Sequence, residues 1–555
     1  MPLTRCPDDV SIEILKIAQL PLSAVSNIML VQRAWNAFIH ANEEHIYHNL
    51  AIYNGLTSAR TTSLNEEKLA FGSKIPIQGW KTFCRWRAAM ERNWAGLGPS
   101  SIARISATGN QVFYRKEIPG TDRVIISSTT GGISVYDGTS VVWALPTGYV
   151  EKPITFAYGN GYLAFRRTGQ KAIEIWRDEA HPVGLISAAF PPTPEQEAAT
   201  TTSLAAQFPS VHFRPSAALP APIAPTEVIR LRYPTLAVAT SSAVYTWDLQ
   251  TGDSAQTLHT QKSPMNPVLG VEVSQELIVV FDREQVRFFS RSDGLFLFLL
   301  PADIPESGGV PRGVQLRPPA TGGTPSQSSE AILLQQVLFR KRSKWSAPRG
   351  DIAAVGISEC GNTLVVLSSK RRMFIVNDIK RVIEEDLPIS SAAVDVKIGA
   401  HYKEIMFLAV TRDKIALATT TGILIMSLRP CAAEGGVTSP RPYGTVRFCR
   451  SGSGPSIQLR ASFVGFKPQF TNQINVLEFS GTKLLFHCDP TTVVDVPDLS
   501  DETIEEVNDD DGFVLCSRLE CGEQLTRCIH VGRRSLPTDL CPVSLYYSPG
   551  NRHPS

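Results

Sequence analysis

Residues 235–248 read Thr-Leu-Ala-Val-Ala-Thr-Ser-Ser-Ala-Val-Tyr-Thr-Trp-Asp. An apolar run of strand-forming residues meets a short Thr-Ser-Ser turn. A second run follows in which large residues alternate, ending on Trp247-Asp248. This is the pattern of two antiparallel strands joined by a tight turn. The same unit recurs as RVIISSTTGGISVYD from Arg123, YLAFRRTGQKAIEIW from Tyr162, ELIVVFDREQVRFF from Glu276, NTLVVLSSKRRMFIVND from Asn362, DKIALATTTGILIM from Asp413 and TKLLFHCDPTTVVDV from Thr482.

Two stretches interrupt the spacing. Residues 191–228 are rich in Pro, Ala and Thr, and residues 303–349 in Gly, Pro and Ser, so both read as flexible insertions. Without them the units recur near the roughly 40–45 residues of a four-stranded propeller blade. One such sheet cannot bury both of its faces, so blades stack around an axis. The expected fold class is therefore α+β and multidomain. Three N-terminal helices and a helical linker precede an all-β, propeller-like domain of six to eight blades over 100–555.

Upstream of about residue 100 the hydrophobic period changes from 2 to 3.6. Val10, Ile14, Ile17 and Ala18 recur at helical spacing, and Pro7 with Asp8 and Asp9 suits a helix start. Pro21 breaks that helix and Ser23 can cap the next, which runs from Ala24 to about Val31. A third helix carries Trp35, Phe38 and Ile39 on one face. Three short helices make a very small core, which gains stability by docking on something larger.

Composition narrows the function classes. Lys and Arg number 54 against 52 Asp and Glu, a net charge of +2, which gives no electrostatic footprint for nucleic acid or a membrane surface. The most apolar stretch, Leu295–Leu300, is far shorter than the roughly 18 residues of a membrane span. The N-terminal MPLTRCPDDVS lacks a basic segment followed by an apolar one, so no signal peptide is expected. Ten cysteines in 555 residues fit a reducing compartment, cytoplasmic or nuclear, rather than a disulfide framework.

Cys516, Cys521, Cys528, His530 and Cys541 follow at irregular gaps that do not match zinc-ligand spacing. His40, His45 and His48 lack the Glu of a metalloprotease helix. No phosphate-binding glycine loop or nucleophile elbow is present. No metal, cofactor or catalytic residue is expected, and the chain reads as a non-enzyme. A propeller hydrolase would need inward-facing His, Asp or Glu near the central channel. The basic run Arg340–Lys344 reads as an exposed loop tip, and the seven acids within Asp501–Asp511 as a solvated acidic loop.

Residues 1–55 resemble the F-box family. The residues that carry the resemblance are Cys6-Pro7, Asp9-Val10, Ile14-Leu15, Leu20-Pro21-Leu22, Val25, Ile28, Leu30-Val31, Arg33 and Trp35, with Ile46-Tyr47 at the end. It covers about 40 of 555 residues, and Cys6 replaces the family's opening Leu. Residues 56–99 resemble the helical linker of F-box proteins that carry WD repeats, through Trp80-Lys81-Thr82-Phe83-Cys84-Arg85-Trp86-Arg87 and Glu91-Arg92-Asn93-Trp94. The resemblance implies a substrate-recognition subunit of a cullin–RING ubiquitin ligase. Pro7, Val10, Ile14, Leu15, Leu20, Pro21, Leu22, Val25, Leu30, Val31 and Trp35 would then bind a Skp-family adaptor, which links to the cullin. The propeller would hold a protein target. In the blade turns, Arg166, Arg167, Lys370, Arg371 and Arg372 are candidates for reading an acidic or phosphorylated motif, since Arg makes bidentate bonds to phosphate. The alternative is a non-ligase interaction scaffold with the same two parts.

Overall fold

The computed structural model describes most of residues 7–302 and 350–431. Of 303–349 and 432–555 it describes only strand segments.

Six of the seven hairpin units form the two middle strands of a sheet; of the seventh, Lys483–Cys488 pairs instead with Cys541–Ser548, and residues 489–496 lie outside the described residues. Blade 1 is built from Val112–Glu117, Arg123–Ser128, Ile133–Asp137 and Ser140–Leu145. Blade 2 uses Phe156–Gly159, Tyr162–Phe165, Ala172–Asp178 and Phe213–Pro220. Blade 3 uses Thr226–Arg232, Thr235–Thr240, Ala243–Asp248 and Gln256–His259, and blade 4 uses Gly270–Val273, Leu277–Phe281, Gln285–Ser290 and Phe296–Pro301. Blades 5 and 6 begin at Ile352–Ile357 and Ile405–Val410. Their second and third strands are Thr363–Ser368 and Arg372–Asn377 in blade 5, and Lys414–Thr419 and Gly422–Cys431 in blade 6. Their fourth strands are Ala393–Lys397 and Ser456–Gly465.

A further sheet closes the ring. It joins Ile474–Phe479 and Lys483–Cys488 to Cys541–Ser548, and Ala103–Arg104 pairs antiparallel on the far side of that last strand. The first strand of the β region thus completes the last sheet, tying the two ends of the domain. The inner strand of each sheet packs on the next, and Ile474–Phe479 packs on Val112–Glu117 to complete the circle. The fold is a β-propeller of six blades and a closing sheet.

The second strand of a blade explains the continuous apolar runs. Thr235–Thr240, Leu277–Phe281, Thr363–Ser368 and Lys414–Thr419 are buried at every position. The first three each lie between two neighbouring blades, and Lys414–Thr419 lies between blade 5 and the N-terminal helices, so both faces are covered and no polar alternation survives. Turn chemistry then fixes the register. Asp248 accepts backbone N–H bonds from Gln250 and Thr251, and Asp282 does the same for Glu284 and Gln285. Gly131, at φ +95°, passes so close to the Val150 carbonyl that a Cβ there would lie 2.2 Å from it, so only glycine fits.

The two stretches read as insertions contain regular structure. Residues 191–228 hold the helix Pro194–Thr202 and the outer strand of blade 2. That helix opens on a reciprocal cap: the Gln196 side chain accepts from the Thr193 N–H, and the Thr193 hydroxyl accepts from the Gln196 N–H. It covers the outer strands of blades 1 and 2. Within 303–349, Arg312–Arg317 pairs parallel with Ala393–Lys397 of blade 5 and antiparallel with Leu338–Lys341. Arg340 and Lys341, expected at a loop tip, therefore lie in a paired strand. Composition missed these elements because a short edge strand needs only backbone partners, not an apolar pattern.

The N-terminal helices are α1 (Asp8–Ile17), α2 (Leu22–Val31), α3 (Arg33–Ala41), α4 (Glu43–Tyr53), α5 (Leu64–Phe71) and α6 (Trp80–Trp94). They share one core with blade 6. Leu15, Val25, Ile39, Ile46, Tyr47, Leu50, Phe83, Trp86, Met90 and Trp94 pack in the same cluster as Ala416, Ala418, Ile423 and Ile425. Alternation in Lys414–Thr419 makes this contact: Ile415 and Leu417 point to blade 5, while Lys414, Ala416 and Ala418 point to α6. The small alanines let the helix approach closely.

At the edge of that contact four charges are buried together. Arg87 pairs with Glu91 at 2.9 Å and with Asp413, and the Lys414 ammonium reaches Glu91 at 2.7 Å and Asp413 at 2.9 Å. Burial by itself would push the Asp413 carboxyl up, but the Arg87 and Lys414 cations outweigh it and hold it below the ordinary carboxylate range. Farther along, the Ser462 hydroxyl donates to the Trp94 carbonyl at 2.7 Å, so α6 crosses blade 6 from its first turn to its outer strand.

Removing Arg87 strands two buried carboxylates beside a single cation. Arg87→Ala is expected to lower stability by about 3–5 kcal/mol in a urea titration. A depressed carboxylate stabilises the fold at pH values above its unfolded pKa and loses that contribution as pH falls through the folded value. Stability in the wild type is therefore expected to drop below about pH 4, and Asp413→Asn to flatten that limb.

Candidate functional site

Two regions of the surface bear on function. The first is the helical unit. Its core positions are filled from inside: Leu15 and Val25 are buried, and Trp35 is half-buried edge-on against Phe38 at 5.6 Å. Val10 and Ile14 on α1 are exposed. Leu30 and Val31, at the end of α2, are 84% and 79% exposed, more than any other large apolar residues among those described. Pro7 is exposed as well. Leu20 and Pro21 lie outside the described residues, and Leu22 is described only as the first residue of α2.

The chain makes these residues stand out by turning sharply after them. Gln32, in an extended conformation at φ −154° and ψ 141°, separates α2 from α3. The unit is held against α6 by specific bonds. His48 stacks on Trp80 at 4.2 Å, Lys81 pairs with Glu43 at 2.8 Å, and the Cys84 thiol donates to the Tyr47 carbonyl at 3.3 Å. Burial pushes the Cys84 thiol up to about 12, so it stays protonated and acts as packing rather than as a nucleophile.

The second region is formed by the turns between second and third strands, which all emerge at one end of the ring. Two of them carry the five candidate cations. Structure divides these by environment. Arg372 is buried and paired with Asp395 through two bonds, the Nε bond at 3.2 Å. Burial raises the Asp395 carboxyl, with the Arg372 cation opposing the rise. Arg167 pairs with buried Glu174 and lies over the Tyr149 ring at 4.0 Å. Glu174 also accepts from the Tyr149 hydroxyl at 2.7 Å and the Trp176 indole at 3.1 Å. Burial, and next the Glu174 charge, push the Tyr149 hydroxyl up. Arg166 donates to the Gln170 and Ala224 carbonyls, bracing its turn. Lys370 is exposed, and Arg371 is half-buried in a left-handed conformation at φ +61°.

Among the described residues no group of three or more His, Cys, Asp or Glu is placed to hold a metal ion. Cys516, Cys521, Cys528, His530 and Asp501–Asp511 lie outside the described residues. No described helix is long and apolar enough to cross a membrane. Sequence reading missed the Arg87, Glu91, Asp413 and Lys414 cluster. Its one local signal was the i,i+4 pair Arg87 and Glu91, which resembles any solvated helix pair.

No family model matches the chain, and no curated protein matches it in sequence. Solved propellers align at low identity. The β-propeller domain of Cps50 (Swd1) from Myceliophteria thermophila is 10% identical, with 70% of this chain and 96% of that one covered at a TM-score of 0.39. The U3-55K structure is 11% identical, with coverage of 70% and 92% and a TM-score of 0.37.

The division of the arginines has a direct consequence. Arg372→Ala is expected to cost about 3–5 kcal/mol by chemical denaturation, because Asp395 is left buried without its partner. Lys370→Glu, on the exposed turn, is expected to change stability by no more than about 0.5 kcal/mol.

Proposed function

We propose that this chain is the substrate-recognition subunit of a cullin–RING ubiquitin ligase. Its N-terminal helices bind a Skp-family adaptor, and its propeller holds the protein to be tagged. The observation that carries this reading is the exposure of Leu30 and Val31 in a helical unit whose sequence resembles an F-box. Two adjacent aliphatic side chains left almost wholly in water are a cost that association recovers, at about 25 cal/mol per Å² of apolar area covered. Pro7, Val10 and Ile14 extend the exposed set, and half-buried Trp35 supplies an aromatic anchor. Leu15 and Val25 then act indirectly, by packing the helices that present the others.

The seam between α6 and blade 6 supports the same reading. A receptor of this kind has to hold its target at a set offset from the adaptor. A shared core and a buried charge cluster make the helices and the propeller one rigid unit. Target recognition falls to the turn end of the ring, where Lys370 offers an exposed cation for an acidic or phosphorylated segment. The work would take place in the cytoplasm or the nucleus.

A non-ligase scaffold is the second reading, favoured by Cys6 in place of the family's opening leucine. The test is capture of the purified full-length chain by a Skp-family adaptor, alone and joined to its cullin. Wild type is expected to bind both. Leu30→Asp with Val31→Asp is expected to keep the melting temperature and weaken adaptor binding by at least about tenfold, near 1.4 kcal/mol. Binding of adaptor without cullin assigns the scaffold, and failure of wild type to bind adaptor ends the ligase reading.

A further inference from the structure

Leu295-Phe296-Leu297-Phe298-Leu299-Leu300-Pro301 contains the outer strand of blade 4. Only Leu300 is buried. Leu295, Phe296, Leu297 and Leu299 are 62%, 56%, 41% and 43% exposed. Among the described residues the strand is last in its sheet and pairs only with Gln285–Ser290. No charged residue lies between Gly294 and Ala302. Exposed edges usually carry lysines or inward-pointing charges that discourage added strands. This edge has one irregularity, a bulge at Leu297, and a proline at its end.

Four other blades cover or extend their edges, whereas the outer strand of blade 3, Gln256–His259, is also last in its sheet among the described residues. The outer strands of blades 1 and 2 lie under the helix Pro194–Thr202. The outer strand of blade 5 accepts Arg312–Arg317 as a parallel fifth strand, which accepts Leu338–Lys341 in turn. The outer strand of blade 6 accepts Thr445–Phe448 and Gln335–Gln336. Strand addition at the rim is thus how this fold completes its later blades. Among the described residues, the edge of blade 4 has the most exposed apolar side chains of any strand and no such addition.

We propose that this edge captures an extended apolar segment of a partner protein as an added fifth strand of blade 4. Backbone bonds to Phe298–Pro301 would set its register, and alternate aliphatic side chains would cover Phe296 and Leu299. A second copy of the chain fits less well. Two-fold pairing of identical edges would set Pro301, which has no N–H, and the bulge at Leu297 into one short ladder. A flexible segment can follow the bulge where a rigid rim cannot. This surface is distinct from the adaptor-binding helices and does not depend on the ligase reading.

The test uses the full-length chain against a displayed library of random dodecapeptides, then one synthetic peptide taken from it. Enriched peptides are expected to alternate Val, Ile, Leu or Phe with polar residues. Hydrogen exchange with the synthetic peptide bound is expected to slow at amides within residues 296–300. The double variant Leu297→Lys, Leu299→Lys changes only exposed side chains, so it is expected to melt as wild type does and to bind that peptide at least about tenfold more weakly. The proposal is overturned by a library that enriches nothing, by peptides that the lysine variant still binds, or by slowed exchange only elsewhere. It is overturned equally if light scattering finds a wild-type dimer that the variant converts to a monomer, which would give the edge to a second copy.

Discussion

Two cations and two anions buried between a helix and a sheet hold this molecule in its shape. Arg87 and Glu91 come from α6, and Asp413 and Lys414 from the first turn of blade 6, 326 residues farther along in the case of Arg87 and Asp413. Taking four charges out of water is expensive, and their attraction offsets the cost only if each keeps its partners. Here they do: each carboxylate meets both cations. An apolar contact tolerates sliding by a fraction of a helical turn. A closed set of ion pairs does not, because any shift leaves a charge buried alone. The greasy part of the seam supplies the affinity, and the charges supply the register.

From that seam the molecule extends in two directions. Toward the N-terminus, α4 lies along α6 and carries the smaller helices with it, so Leu30 and Val31 project from a supported platform. Toward the C-terminus, blade 6 is one segment of a ring in which every sheet depends on its neighbours. The inner strands lean on one another around the circle, and side chains cross between blades. Arg291 is one example, donating to the Thr235 hydroxyl and to carbonyls of Arg232 and Ser274, so that blades 3 and 4 are knitted at one end. Closure by Ala103–Arg104 on the last sheet means that neither end of the ring is a free edge.

Arginine has two uses in such a ring, and local sequence does not separate them. Arg371 and Arg372 are adjacent, yet one lies partly open on the turn and the other is sealed against Asp395. The strand begins at Arg372, so its side chain belongs to a sheet face, and the carboxylate that receives it stands on the neighbouring strand. Arg167 is similar, claimed by Glu174 seven residues on and by the Tyr149 ring from the preceding blade. Buried pairs of this kind consume the bidentate geometry that makes arginine a phosphate reader.

Sequence alone determined the periodic parts of this protein. The hairpin unit, its recurrence, the switch from helical to strand period near residue 100 and the presence of the first three helices follow from side-chain spacing, a local property of the chain, although α2 begins at Leu22 and takes in Ser23, the residue expected to cap it. The span Trp80–Trp94 was legible as a helix through its resemblance to a helical linker rather than through spacing. What only the tertiary structure decided was partnership. It set which of Leu15, Val25, Leu30 and Val31 faces inward, which arginines meet a carboxylate, and where Arg312–Arg317 and Phe213–Pro220 find a strand to pair with. A side chain's burial and charge state depend on atoms brought from hundreds of residues away. No window of sequence contains them, and the helix–blade seam exists only once the ring has closed around it.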